Sequence, residues 1–371
     1  MRVGALRETK DREQRVALLP SGVRSLVAAG HQVAIQRDAG AGSGFSNAEY
    51  QAAGAKVLDH HSEVIEFGEV ITKVKEPTES EVSLMRPGQV LFDFLHLAPL
   101  HPLTELILDR KVIAIGFETV QLADGTLPLL VPMSEVAGRL AVQVGAHYLQ
   151  ADQGGSGVLL GGVPGVPRGR VTVIGAGIVG TAAVRMAVGL GAEVSVLDID
   201  QRRLSHLYDI YHGSISTLYS NMVNLEQTVH EADLLIGAVL RPGARSPTLV
   251  SRDMVATMRP GSVIVDVAVD QGGCVETIRT TSHSNPVYSV DGVIHYGVAN
   301  MPGAVPRTST LALTNAIFPY LKSLCDLGPQ AALRKDPALA AGVNCYLGSL
   351  THRGVAEAQG RPFSDRPWLA S

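Results

Sequence analysis

VTVIGAGIVG, residues 171–180, carries an apolar, largely β-branched run into three glycines at G-x-G-x-x-G spacing, Gly175, Gly177 and Gly180. An apolar pattern at helical spacing continues through Val184 and Met186. The stretch predicts strand, tight turn and helix, in which bare backbone lets a dinucleotide pyrophosphate approach the positive end of a helix. In a chain with 39 glycines the spacing alone is weak evidence; its setting strengthens it. Asp198 ends the next strand about 20 residues on, where a carboxylate can accept from ribose hydroxyls. That acid would repel a 2′-phosphate and so favours NAD over NADP, while Arg202 and Arg203 close behind temper the preference. The plainer alternative for Asp198 is a turn or capping residue, although Asp200 is better placed as a helix cap.

Outward from this turn, strands VTVI (171–174), EVSVL (193–197), SISTL (214–218), DLLIGAV (233–239), SVIVDV (262–267) and VIHYGV (293–298) alternate with short helices. Such a series predicts a doubly wound parallel sheet. Loops VLRPG (239–243), DQGG (270–273) and VANMPG (298–303) follow strand ends. They are expected to line one crevice at the carboxyl edge, where open α/β sheets bind ligands. On the other side, GGSGVLLGGVPGVPRGR (154–170) reads as a loop, and SEVAGRLAVQVGAHYLQ as a long amphipathic helix with Ser134 as its N-cap.

The first third alternates too. RVGAL (2–6) predicts a strand and PSGVRSLVAAG (20–30) a helix, with Pro20 suited to its first turn and Gly30 to its stop. After strand HQVAIQ, helices near 47–53, 62–66, 79–85 and 102–109 alternate with strands KVL, EVITKV, QVLFDFL and KVIAIG. Serial βα units imply a parallel sheet with helices on its faces. Beyond Pro306, TSTLALTNAIFPYLKSL predicts a helix kinked at Pro319, and the tail carries no new strand signal. The fold expected is α/β, two doubly wound parallel-sheet (Rossmann-like) domains with an interdomain cleft, linked by long helices. Residues 1–128 with 308–371 make the first domain, and residues 129–307 the nucleotide domain.

Composition narrows the function. With 31 basic and 35 acidic side chains the net charge is −4, and no window gathers Lys and Arg as a nucleic-acid footprint requires. Cys274, Cys325 and Cys345 lack CxxC or His-rich spacing, so neither a metal site nor a disulfide framework is expected, and the chain reads as reduced and cytoplasmic. The charged start MRVGALRETKDREQRV does not resemble a signal peptide. Apolar runs break well before the roughly 18–20 residues of a membrane span.

EQRV, KVKEP, FLHLA and DQGG offer Arg15, Lys75, His96 and Asp270 as chemistry-bearing groups. Lys75 and His96 fall at or just past strand ends, on one edge of the first sheet. Each has an ordinary alternative: a surface cation, a solvated strand terminus, a core histidine, a cap at a glycine turn.

In order along the chain, ETKDREQRVAL, KVKEP, LHLA, PMSEVAGRL, VIGAGIVG, GAVLRPGA, DQGGC and VANMPGAVPRTST resemble the alanine dehydrogenases of the alanine dehydrogenase and pyridine nucleotide transhydrogenase superfamily. The resemblance spans essentially the whole chain. It implies reversible oxidative deamination of L-alanine to pyruvate and ammonium with NAD, in a cleft between the domains of a homohexamer. It further implies that Arg15 binds the substrate carboxylate, that Lys75 contacts the carboxylate and polarises the carbonyl, that His96 is the acid–base group, and that Asp270 orients the attacking water or ammonia. Phe94, Met133, Asn300 and Met301 match pocket residues. Ser134, Arg203, Ser220, Val239 and Leu240 join the three glycines, Asp198, Asp270 and Asn300 on the cofactor side. Asp93, Pro99 and Arg241 depart from the expected pattern, and Asp93 puts the tuning of His96 in question. Three alternatives stay open: the NAD-binding component of a proton-translocating transhydrogenase, a silent NAD-binding module, and a dehydrogenase of another small amino acid.

Overall fold

The computed structural model describes residues 1–239 and 246–369. It divides into two units, Met1–Met133 with Val305–Ser371, and Ser134–Ala304.

In the first unit the parallel strands are β1 (Arg2–Ala5), β2 (Gln32–Gln36), β3 (Lys56–Leu58), β4 (Val70–Thr72), β5 (Val90–Asp93) and β6 (Ile113–Gly116). In the second they are β7 (Arg170–Ile174), β8 (Glu193–Asp198), β9 (Ser216–Tyr219), β10 (Leu234–Gly237) and β11 (Val263–Asp266), followed by β12 (Val287–Val290) and β13 (Val293–Tyr296). The tail returns as β14 (Val343–Tyr346) and β15 (Ser349–Leu350). The eight-stranded sheet runs β15-β14-β6-β5-β4-β1-β2-β3 and the seven-stranded sheet β12-β13-β11-β10-β7-β8-β9. Each is thus a doubly wound parallel sheet with antiparallel strands added at one edge.

Inner strands such as β5, β10 and β11 are buried along their whole length. That is why they read as continuous apolar runs: helices cover both faces and no alternation survives. Short helices start where side chains satisfy the first amides. Ser46 with Glu49, and Thr78 with Glu81, form reciprocal capping boxes at Asn47–Ala52 and Glu79–Ser83.

Three expectations need correction. The tail does contain strands: β14 pairs antiparallel with β6, and the polar Asn344 that interrupts its apolar pattern is buried, donating from Nδ2 to Thr119 Oγ1 (2.7 Å) and the Gly342 carbonyl (2.9 Å). The second sheet gains β12, joined to β13 by Asp291 and Gly292, both at positive φ, a two-residue hairpin turn. Ser134 caps nothing at that position, because the helix begins earlier and spans Val131–Tyr148. The helix expected beyond Pro306 is present as Pro306–Leu327, with Pro319 inside it.

Candidate active site

In the first unit the switch point of the sheet lies between β1 and β4. Arg15 follows β1, Lys75 follows β4 and His96 follows β5, so the three depart from the carboxyl ends of three neighbouring strands. Arg15 is only 2% exposed. Its Nε donates to Glu13 Oε1 (2.8 Å) and its Nη2 to Oε2 (2.6 Å), a fork on a buried carboxylate, while Nη1 points at Met133 Sδ (3.1 Å). The long link carrying it is fastened by Val16, whose amide donates to Thr310 Oγ1 (3.1 Å) in the helix Pro306–Leu327.

The backbone before Lys75 is held by Glu8, which accepts from the Val74 amide (2.6 Å) and, more weakly, from that of Lys75 (3.4 Å). Burial raises the Glu8 carboxyl to about 7, against the opposing pull of Lys73 and the Val74 amide. Beneath the loop, Lys73 donates to both oxygens of Glu81 (2.9 and 3.1 Å) and lies 3.9 Å from Glu8. Burial alone would depress the Lys73 ammonium; Glu8 and Glu81 outweigh it and raise it. Asp93, at the end of β5, is fully buried with both oxygens unbonded, and burial lifts its carboxyl far above the usual range. The residue that departs from the expected pattern thus places a buried carboxyl, its ionisation opposed by burial, three positions before His96.

His96 stands beyond it at positive φ, and its amide donates to Glu118 Oε1 (2.7 Å). Its ring is half-exposed and stacks on Phe94, with centroids 5.7 Å apart. Phe94 and Met133 are buried. Glu76, next to Lys75 in sequence, pairs with Lys10 and faces Nδ1 of His96 at 3.8 Å.

The second unit places its candidates on the carboxyl edge of the other sheet. Gly175 has φ +102°, and a Cβ there would sit 2.6 Å from the Ala238 carbonyl and 3.2 Å from Val239 Cγ2. A Cβ on Gly180 would overlap the Gly175 carbonyl, so the third glycine is needed for close turn–helix packing. Gly177 differs: a Cβ there meets only Arg203 Nη1, at 3.9 Å, within 4 Å. It is also the N-cap of the helix Ile178–Gly189, with no side-chain cap. Bare backbone at an uncapped helix start fits a pyrophosphate.

Asp198 is buried and accepts from the amides of Ala176 (2.6 Å) and Asp200 (2.8 Å), so it braces the glycine turn, while Arg203 lies 3.6 Å from it. The Ser220 amide donates to the Asp198 carbonyl (3.0 Å), which brings the end of β9 alongside. Asp270 is exposed in the short helix Val269–Gln271 after β11. Asn300 has φ +61°, and its carbonyl faces His283 Nε2 at 3.2 Å; Met301 beside it is buried. Leu240 and Arg241 lie outside the described residues.

Sequence reasoning missed the supporting carboxylates. Asp266, the last residue of β11, accepts from the amides of Ala268 (3.0 Å), Cys274 (2.7 Å) and Val275 (3.1 Å) and so ties down the loop that carries Asp270. An acid closing the apolar run SVIVDV was the available signal. Glu13, two places before Arg15, gave a fainter one, and Glu8 none beyond its position in a charged stretch.

With this geometry in hand, comparisons with known proteins agree on one lineage. Residues 4–137 match the model of the alanine dehydrogenase/PNT N-terminal domain and residues 141–353 that of the alanine dehydrogenase/PNT C-terminal domain. An alanine dehydrogenase of Methanococcus maripaludis is 53% identical over 365 residues, covering 98% of each chain. One from Halomonas elongata is 54% identical over 363 residues, again covering 98% of each. A solved L-alanine dehydrogenase superposes with TM-score 0.95 at 52% identity, covering 97% of this chain and 99% of that one. A transhydrogenase from Sinorhizobium meliloti shares the fold with TM-score 0.82 at 24% identity, covering 95% and 99%.

Proposed function

The chain belongs to the alanine dehydrogenase/PNT family, and from that membership we propose that it is an enzyme catalysing the reversible, nicotinamide-dependent oxidative deamination of L-alanine to pyruvate and ammonium. The observation that carries this reading is identity above 50% to alanine dehydrogenases along 98% of both chains. Arg15, Lys75 and His96 at the ends of neighbouring strands supply matching chemistry.

Arg15, clamped by Glu13, offers its Nη1 edge beside Met133 to the substrate carboxylate; the remaining nitrogens serve to hold the fork. Lys75 polarises the carbonyl oxygen, and its position comes from Glu8 through the backbone. A cation at the carbonyl oxygen stabilises the charge that develops there. His96 accepts the proton from the water that adds to the α-carbon once hydride has left it as an iminium, ammonia then departs to leave the carbonyl, and the histidine returns the proton in the reverse direction. Asp270 orients that water, or ammonia. A nicotinamide nucleotide held at the turn of Gly175, Gly177 and Gly180 would supply the hydride acceptor for the α-carbon. Phe94, Met133, Asn300 and Met301 are the pocket residues of this reading, and side chains of their bulk favour a small substrate.

NAD is the cofactor of this reading. Asp198 opposes a 2′-phosphate, and Arg203 at 3.6 Å weakens that opposition without removing it. Ser134, Gly175, Gly177, Gly180, Ser220, Val239 and Leu240 complete the nucleotide set. Assembly as a homohexamer, a cytoplasmic location and a role in amino-acid catabolism belong to the same proposal; among the described residues no helix is long and apolar enough to cross a membrane.

The purified protein is expected to form NADH from L-alanine and NAD⁺ and to consume it with pyruvate and ammonium, more efficiently than with NADP(H). Nucleotide binding with neither reaction would overturn the reading.

A further inference from the structure

We infer that Glu76 is a positioning residue for the acid–base histidine: its carboxylate faces Nδ1 of His96, fixes the ring and its proton there, and leaves Nε2 to exchange protons with substrate. The inference rests on the proposed alanine-oxidising reaction, in which His96 carries the proton.

The two oxygens of Glu76 have different surroundings. Oε1 pairs with Lys10. Oε2 is buried and has no hydrogen-bond partner, and His96 Nδ1 lies 3.8 Å away. A buried carboxylate oxygen without a donor is costly, so a small ring movement that closes this gap gains a charge-assisted hydrogen bond. Burial pushes the Glu76 carboxyl up, but His96 and Lys10 together outweigh it and hold it well below the usual range.

The rest of the histidine is already constrained. Its amide is bound to Glu118 Oε1 (2.7 Å), the Leu95 amide occupies Oε2 (3.2 Å), and the ring lies on Phe94 with an interplanar angle of 27°. Among the described residues, Glu76 lies at the ring edge, Lys10 is paired with it, Glu118 holds the backbone, and the buried Asp93 lies three positions before the histidine. Among the ion pairs of the described residues, Glu76 is the group that addresses a ring nitrogen. In neutral imidazole one nitrogen donates and the other accepts, and a carboxylate at Nδ1 assigns those roles. Lys10 competes for the same carboxylate and so moderates its effect on the ring.

Two substitutions with opposite expected signs test this. Glu76→Gln is expected to lower kcat by about 10- to 100-fold, less than loss of the histidine itself, with KM for alanine and nucleotide affinity within about twofold. It moves the acid limb of kcat/KM down by about one pH unit, and Lys10→Met moves it up. Hydrogen–deuterium exchange at the imidazole Cε1, read by mass spectrometry on the His96 peptide of the free protein, is expected to shift its midpoint in the same two directions. An unmoved exchange midpoint in both variants overturns the inference even if the wild type oxidises alanine. A wild type inactive on alanine overturns the proposed reaction, and the exchange measurement still decides whether Glu76 addresses the ring.

Discussion

The two sheets follow the same winding, with a switch point between β1 and β4 in one and between β7 and β10 in the other, yet they furnish these points differently. At the second switch point the chain turns from β7 into its helix through residues 175–177, and what it presents is bare backbone: a glycine at φ +102° and an uncapped helix start. At the first, residues 6–19 separate β1 from its helix and fill the space with side chains: Glu8, Glu13 and Arg15, all buried. A phosphate needs amides and a dipole, which backbone supplies without titrating. A small carboxylate that must also gain and lose protons needs cations and an acid–base group, which only side chains supply. The same topology can host either because the carboxyl edge is set by the winding, and the link length then decides whether backbone or side chains reach it.

This contrast can be broken by substitution. His96→Ala is expected to lower turnover by about 100-fold or more with nucleotide affinity nearly unchanged. A mild effect in steady-state assays would make His96 a packing residue and leave the first sheet without its acid–base group. Gly180→Ala drives a Cβ into the Gly175 carbonyl and is expected to weaken NADH binding by about tenfold or more, measured by fluorescence titration. Wild-type affinity in that variant would mean the turn does not carry the pyrophosphate.

Side-chain sites also titrate, which sharpens the comparison. Glu8 holds its proton up to about 7 in the folded protein, against 4.5 as its ordinary value. Stability from this group is therefore fully present below about pH 4.5 and is lost as pH rises through about 7. The loss is on the order of 3 kcal/mol. Glu8→Gln keeps an oxygen for the Val74 amide and removes the titration. Its melting temperature is expected to gain on the wild type across that window. Parallel melting curves at every pH would show that the Glu8 proton is not linked to folding.

The legible part of the molecule was its parallel core. Strands buried on both faces wrote themselves as Val- and Ile-rich runs, and the turn at Gly175 announced itself because a positive φ and a close carbonyl demand glycine there. Edges were harder. The segment of β14 is hard to read because Asn344 breaks its apolar run, and one of the two acceptors that reward its burial, Thr119, lies far away in sequence. The hairpin of β12 and β13 has its signal in Asp291–Gly292, a faint one because β12 itself is half-exposed and weakly patterned. At the site, the resemblance singled out residues that would touch ligands. The acids behind them escaped notice: Glu13 under Arg15, Glu8 under the Lys75 loop and Asp266 under the Asp270 loop meet their partners only once the loops have folded.

The division of labour between the sheets is tested most directly by Arg15→Ala, with pyruvate KM and NADH affinity measured on the same preparation. The account predicts that KM for pyruvate rises by about tenfold or more while NADH binds within about twofold of wild type. A parallel fall in NADH affinity, or an unchanged KM, would contradict it.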